Sequence, residues 1–405
     1  MVMSRALSRP QILVIAAAAV VLGVSLGVRQ TFGIYLVPMT LDLDWSRGLF
    51  GLAMAVQNLV WGAAQPFVGG LADRFGSGKV IAGGAVFYAL GVIGMASVVT
   101  PAGLLITGGV LIGLGMAGAG IAVVYGAVSR AVAPENRTYA VALVSTIGAL
   151  GPMTFPLISQ AVIGVAGWAF SLTATAIIVL LLILLTRLFD HSEAIETGEP
   201  DLNLREVINA ARKNSGYILL VSGFFVCGFH VTFIGTHFPG YINLQGLDAG
   251  VGAVALTVIG VGNIIGTYLA GESSKKYRQK NVLSFIYLGR ALLIAALMIL
   301  PTTEWTIYAF SAVFGLLWLS TVPLTSGVVA RIFGAKHLGM LFGFVFFSHQ
   351  IGAFFGAWLG GVAFDTFGNY TSMWYASIAL GLLAALLHWP IRDQPMEHLV
   401  SPQSA

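Results

Sequence analysis

The side chains best placed to do chemistry in this sequence are cationic. Arg29 and Arg290 each lie inside a long apolar run, whereas all 16 acidic residues occupy short polar stretches between such runs. A run of that length reads as a membrane span, and a charge held inside one is costly enough to be functional by default. A guanidinium at that depth offers a planar fork of donors to a carboxylate or another small anion, which would arrive as the missing counter-charge. Arg29 falls roughly 25 Å along its helix from the start of its run, somewhat past the midplane. Its alternative role is to satisfy backbone carbonyls or to snorkel to the interface. Arg290 lies about ten residues from one end of its run, within snorkelling reach, so a structural role is favoured there.

Other polar groups share that depth. Gln57 and Asn58 fall in the second run, His230 in the seventh, Asn263 in the eighth, Trp318 in the tenth, and His349 with Gln350 in the eleventh. A histidine can add or withdraw charge near neutral pH, which makes His230 and His349 candidates for carrying a proton. His237, two turns beyond His230, is a candidate for an outer gate. Tyr125, near the end of the fourth run, and Trp318 could close a cavity with an amphipathic ring. Each has a plainer alternative, since isolated amides often bond a neighbouring helix and aromatic rings often only pack. Pro38, Pro152, Pro156, Pro239 and Pro323 can bend their helices.

Catalysis has no support. There is no GxxxxGK[ST] or HExxH motif and no pair of acids inside a run, so neither an enzyme nor a nucleotide-driven machine is expected. No cofactor is expected, and the histidine spacing motivates no metal site. The single cysteine, Cys227, excludes a disulfide and reads as a small buried hydrophobe.

The elements that must position these residues are membrane helices. Of 405 residues, 57% are hydrophobic and 9% charged, and the mean hydropathy is +0.89. No single water-soluble core could hide so much apolar surface. Windows of about 19 residues mark spans near 12–38, 48–70, 80–99, 103–128, 139–164, 168–188, 216–243, 249–271, 281–300, 305–330, 338–363 and 371–390. The polar segment 190–215 divides them into an amino-terminal half, 1–189, and a carboxy-terminal half, 216–390, followed by a polar tail, 391–405. Within the divider, 202–212 has helical spacing suited to the membrane surface. The first span outruns a signal-peptide core and reads as retained. With the amino terminus inside, 17 of the 20 basic residues fall inside, Arg29 and Arg290 lie in spans, and Arg47 alone is outside. The positive-inside rule therefore places both termini in the cytoplasm. Net charge is +4, but the basic residues form no stripe, which argues against nucleic acid.

The halves repeat. A shift of 201 residues lays Gly27, Arg29, Thr31, Phe32 and Pro38 on Gly228, His230, Thr232, Phe233 and Pro239, and a shift of 202 lays 69–79 on 271–281. Near the end of the fourth span, Gly126, Val128 and Arg130 fall on Gly327, Val329 and Arg331. A nearly constant offset across three helices points to duplication, and two parallel six-helix repeats suit a protein that rocks about a midplane site.

The loop Gly69, Gly70, Leu71, Ala72, Asp73, Arg74, Phe75, Gly76, Ser77, Gly78, Lys79 resembles the signature between helices 2 and 3 of the major facilitator superfamily. The resemblance implies an all-α membrane fold of twelve helices in two parallel six-helix repeats, with helices 1, 4, 7 and 10 lining the cavity. It also implies a gating latch at Asp73 and Arg74, where Asp73 can pair with a neighbouring helix end. The second copy carries Lys275 in place of the acid, so a latch there should be weaker. Leu43, Asp44, Trp45, Ser46 and Arg47 resemble the monocarboxylate-porter and oxalate/formate-antiporter branch. Members of that branch commonly carry an arginine in helix 8; here Val261, Gly262, Asn263, Ile264, Ile265 and Gly266 supply none, which shifts attention to Arg29.

The expected function is secondary transport of a small organic anion, a monocarboxylate, by alternating access in the inner membrane of a bacterium. Arg29 and His230 would grip the substrate with Gln57, Asn58, Asn263, His349, Gln350, Trp318 and Tyr125 around them. His230 and His349 would carry a coupling proton, and Asp73, Arg74 and His237 would gate. The partners are then substrate, proton and lipid bilayer, and a monomer is expected. An exporter of lipophilic drugs is the first alternative, though cationic drugs call for buried acids; a sensor or channel without transport is the second.

Overall fold

The structure, a computed structural model, describes residues 7–133, 136–189, 204–334 and 338–396, and these are helical with short turns and no strand among them. Ten helical stretches are long and apolar enough to cross a membrane. One of them, Tyr139–Phe189, contains Gly167 at φ 82° and ψ 167°, outside helical space. The chain reverses there: the Ser171 hydroxyl reaches the Ser159 carbonyl at 3.4 Å, whereas those residues would stand about 18 Å apart along a straight helix. Only glycine adopts that φ without strain. Ten stretches, one of them double, make eleven crossings; the twelfth is Arg47–Phe75, whose 29 residues suffice in length but which carries Gln57, Asn58 and Gln65.

The crossings are α1 (Arg9–Asp42), α2 (Arg47–Phe75), α3 (Ser77–Ser97), α4 (Pro101–Ala131), α5 (137–166), α6 (168–189), α7 (Ser215–Leu244), α8 (Ala249–Lys276), α9 (Gln279–Ile299), α10 (Glu304–Phe333), α11 (Leu338–Phe367) and α12 (Thr371–His388). The expected twelve-helix, two-repeat fold is thus the observed one. A short helix, Leu204–Lys213, precedes α7 and buries Val207 and Ala211 against the second half. The rest of the expected central loop, 190–203, and the end of the tail, 397–405, lie outside the described residues.

Polar residues sit in the turns because the helices start on them. The side chains of Ser46, Asn214, Asp248 and Thr303 accept the first free amides of α2, α7, α8 and α10, at 3.1, 2.9, 2.7 and 3.2 Å. Large apolar side chains such as Phe170, Ile265 and Leu292 remain exposed, as lipid-facing positions would be. Inside each half, equivalent helices touch backbone to backbone. A Cβ on Gly151 of α5 would collide with the Gly23 carbonyl of α1, and one on Gly352 of α11 with the Phe225 carbonyl of α7. Without a hydrophobic driving force between helices in lipid, such close approach is what holds them together.

Both α4 and α10 are broken in the same place. α4 leaves helical geometry at Ala119–Gly120, and α10 at residues 317–320. Interrupted helices at matching repeat positions mark the region where transporters of this layout bind their cargo.

Candidate functional site

Between the halves lies a narrow pocket of only about 20 Å³, room for little more than one water molecule. α1 contributes Arg29, Gln30 and Phe32, α2 contributes Met54, Gln57 and Asn58, α7 contributes Val231, Thr232, Gly235 and Thr236, and α10 contributes Trp318. Arg29 is partly exposed to it and donates one hydrogen bond from Nη2 to the side-chain Oδ1 of Asn58 at 3.0 Å. Asn58 is held in turn by its donation to the Met54 carbonyl at 2.7 Å. The guanidinium carbon stands 5.3 Å from the centre of the Trp61 ring. Among the described residues no carboxylate lines the pocket, and Arg29 Nε, Trp61 Nε1 and the Thr232 hydroxyl have no hydrogen-bond partner. A half-buried charge at membrane depth left with one neutral acceptor is an unusual arrangement, because desolvation is offset only by paired charge or full hydrogen bonding.

The structure brings together Arg29, Gln57, Asn58 and Trp318, and adds Gln30. It does not bring in His230, which is fully buried and whose Nε2 meets the Ser377 carbonyl of α12 at 2.8 Å. The cause is rotation. The pocket face of α7 carries Val231, Thr232, Gly235 and Thr236, one residue on from Arg29's equivalent, and one residue is about 100° around a helix. Asn263 also turns elsewhere: its Oδ1 accepts the Leu319 amide at 3.0 Å, inside the break in α10. Tyr125 bonds Ser145 at 2.6 Å, tying α4 to α5. Gln57, though at the pocket edge, donates to the Gly108 carbonyl of α4 at 2.9 Å. His349 and Gln350 form an adjoining layer on α11. His349 stacks on Phe346 with ring centres 5.8 Å apart, and Phe346 meets Trp61 edge-on at 5.4 Å. Gln350 packs against Gly62, and its Nε2 is unpartnered among the described residues. Trp61 was not among the candidates. Its signal was its place one turn beyond Asn58 and one turn before Gln65, a polar stripe on α2.

The pocket is closed at one end. Arg47, at the start of α2, donates from Nη1 to the Tyr370 hydroxyl at 2.8 Å and lies over the Phe364 ring at 3.6 Å. Asp365 of α11 accepts the Arg47 and Gly48 amides at 2.9 and 2.7 Å. His237 sits behind this latch, bonded to the Ala357 carbonyl at 2.6 Å, with its ring 5.4 Å from that of Tyr370. Along α2, added Cβ atoms on Gly48, Gly51 and Gly62 would strike α11, but those on Gly69 and Gly70, and on Gly339 and Gly343 of α11, would meet nothing within 4 Å. The halves therefore meet at the Arg47 end and part towards the Asp73 end.

At the Asp73 end the described ion pairs stay within one half. Asp73 pairs with Arg130 of α4 at 2.9 Å, Arg130 also bonds Ser77, and Arg74 only covers the Phe75 ring at 5.2 Å. In the second half Lys275 pairs locally with Glu272 at 2.6 Å. Arg331, the equivalent of Arg130, instead faces Asp393 at 3.9 Å, which also bonds Arg278. The acid missing from the second loop is thus supplied from beyond α12, and the Met396 amide donates to the Ile332 carbonyl at 2.9 Å to dock that segment. Burial alone would raise the Asp393 carboxyl, but the bond and charge of Arg278, with Arg331, hold it below the usual carboxylate range. A depressed folded-state value means that the docking energy is present above that range and lost as pH falls through the lowered value. Asp393→Asn should remove it at neutral pH, so the Met396 amide should exchange with deuterium severalfold faster than in wild type. Equal exchange at pH 7 would show that the carboxylate does not hold the tail.

Twelve crossings in two like halves, closed over a central pocket at one end and open at the other, define a membrane transport protein of the alternating-access kind. The chain belongs to the Major Facilitator Superfamily, whose profile matches residues 13–326 and 256–405. It is 26% identical over 380 residues to the uncharacterized MFS-type transporter YcxA of Bacillus subtilis (strain 168), covering 90% of this chain and 91% of that one. It is 25% identical over 326 residues to the MFS transporter asaE of Aspergillus flavus, covering 77% and 70%. Its fold is similar to those of a D-xylose-proton symporter (TM-score 0.71, 16% identity, 94% and 97% covered) and a mutant form of the nucleoside transporter NupG (TM-score 0.79, 11% identity, 93% and 99% covered). The protein is a multi-pass membrane transporter and not an enzyme.

Proposed function

We propose that this transporter carries a small organic anion, a monocarboxylate, through the Arg29 pocket, and that it falls in the monocarboxylate-porter and oxalate/formate-antiporter branch. The observation that carries the reading is the Arg29 guanidinium, in a narrow pocket lined from both halves, bonded to one neutral oxygen and faced by no acid among the described residues. A carboxylate would complete its fork in a region of low dielectric and could use the unpaired Trp61 and Thr232 groups as further partners. Binding would remove the uncompensated charge and so favour closure around the cargo. The same lack of acids in the pocket wall disfavours export of cationic drugs. Of the two histidines considered for coupling, His349 has the better position, because Phe346 and Trp61 link it to Arg29. With the positive-inside rule setting orientation, both termini and the Asp73 end face the cytoplasm of a bacterium, and the Arg47 latch faces outward.

The test is thermal shift of purified protein against formate, lactate, pyruvate, benzoate and oxalate, followed by uptake of the stabilising acid into proteoliposomes. A ligand at a hundred times its Kd should add about 2.7 kcal/mol and raise Tm by several degrees. Uptake should rise with an inward proton gradient and collapse with an uncoupler. Absence of both stabilisation and uptake across the series would reject the anion reading, and indifference to the gradient would reject the proton.

A further inference from the structure

Arg290 is the largest fully buried side chain that the pocket does not use. It belongs to α9, and among the described residues no carboxylate bonds it. The guanidinium instead enters the break in α10. Nε donates to the Leu317 carbonyl at 3.0 Å, and Nη2 donates to the Leu317 and Trp318 carbonyls. The rings of Tyr287 and Phe314 flank it at 5.3 and 5.8 Å, and Nη2 also approaches the Cys227 sulfur at 3.7 Å.

The reason a cation is tolerated here follows from helix physics. The first segment of α10 ends at Leu316, and the carbonyls at a helix C-terminus lack intrahelical partners and carry about half a negative charge. In lipid such groups must be satisfied by protein. Arg290 satisfies the carbonyl of the C-cap residue Leu317 together with that of Trp318 just beyond it, and takes its partial counter-charge from the same dipole. Asn263 of α8 takes the opposite polarity, accepting the Leu319 amide at 3.0 Å. Both caps converge on residues 317–319, and the residue between them, Trp318, forms the second half's α10 wall of the Arg29 pocket. Among the described residues no guanidinium caps the matching break in α4: the 201- and 202-residue shifts set Ala89 and Tyr88 against Arg290, and the Tyr88 hydroxyl donates to the Ser25 carbonyl of α1 at 2.9 Å.

We infer that Arg290 is a positioning residue: it holds the α10 break open and so sets where Trp318 stands in the pocket wall. This rests on the transport reading only in treating that pocket as a binding site. The rigid guanidinium aims Nε and Nη2 together at the Leu317 carbonyl and Nη2 also at that of Trp318, a fixed geometry that a flexible, strongly hydrated ammonium does not reproduce, so lysine should replace it poorly.

Fluorine NMR of protein labelled with 5-fluorotryptophan tests the inference without any ligand, with Trp318→Phe assigning the resonance. Arg290→Gln should move or broaden the Trp318 signal while leaving in place that of Trp168, which bonds Asp42 at the turn between α5 and α6 in the other half. Arg290→Lys, which keeps the charge, should also displace it, by less. An unchanged Trp318 signal in either folded variant overturns the proposal, and the lysine variant decides the matter if the glutamine variant does not fold. Arg29→Gln separates this from the anion reading: if no carboxylate binds anywhere, the Trp318 signal still responds to Arg290.

Discussion

Arg29→Gln should abolish carboxylate-dependent stabilisation while making the empty protein more stable. The two effects have one cause. In the unliganded pocket the guanidinium bears a desolvation penalty that one bond to Asn58 does not offset. Glutamine keeps a donor for Asn58 and removes the charge, so the apo Tm should rise. With ligand, the variant forfeits a charge-assisted pair in a desolvated site, for which about 2–5 kcal/mol is typical, or roughly 30- to 4,000-fold in affinity. Arg29→Lys keeps the charge without the fork and should fall between. A folded Arg29→Gln protein with an undiminished ligand-induced shift would falsify the grip.

Asp365→Ala should unlock the end of the protein opposite the Asp73 loop. Asp365 accepts two amides at the first turn of α2, where a helix N-terminus is positive, and so joins α11 to the other half. Losing such a cap is worth about 1–2 kcal/mol, or roughly 5- to 30-fold in the ratio of closed to open molecules. Spin labels on Leu41 and Thr366, both exposed at that end, would report it in a Cys227→Ser background. The distance distribution should gain a longer component. A distribution identical to that of the parent would mean that aromatic packing around Arg47 is sufficient to keep the end shut.

The spans, the repeat and the Asp73 pair were legible because each is written locally: apolar runs, a constant offset, an acid within a glycine-rich turn. The latch at the Arg47 end was not, since Asp365 and Arg47 are 318 positions apart and each alone reads as an ordinary turn residue. His230 shows where repeat reasoning stops. Duplication aligns chain positions, but a one-residue difference in helix rotation turned the equivalent of Arg29 towards α12 and its Ser377 carbonyl. Arg290 could be judged structural from its nearness to one end of its run. Its partners could not be foreseen, because they are carbonyls freed by a break in α10 that composition does not announce. Asp393 was hidden in a stretch that reads only as a polar end.

The modest hydropathy of α2 has a consequence for how the chain is made. In the finished protein Gln57 and Asn58 are taken up by α4 and α1, but Trp61 and the glycine face of Gly48, Gly51 and Gly62 are covered by α11, which emerges almost 300 residues later. During synthesis the segment leaves the ribosome without this cover and partitions only weakly into lipid on its own. Its amides can be satisfied as soon as α1 and α4 are in place, whereas the face that carries Trp61 stays uncovered until α11 arrives, so the last step in the assembly of the first half is coupled to synthesis of the second.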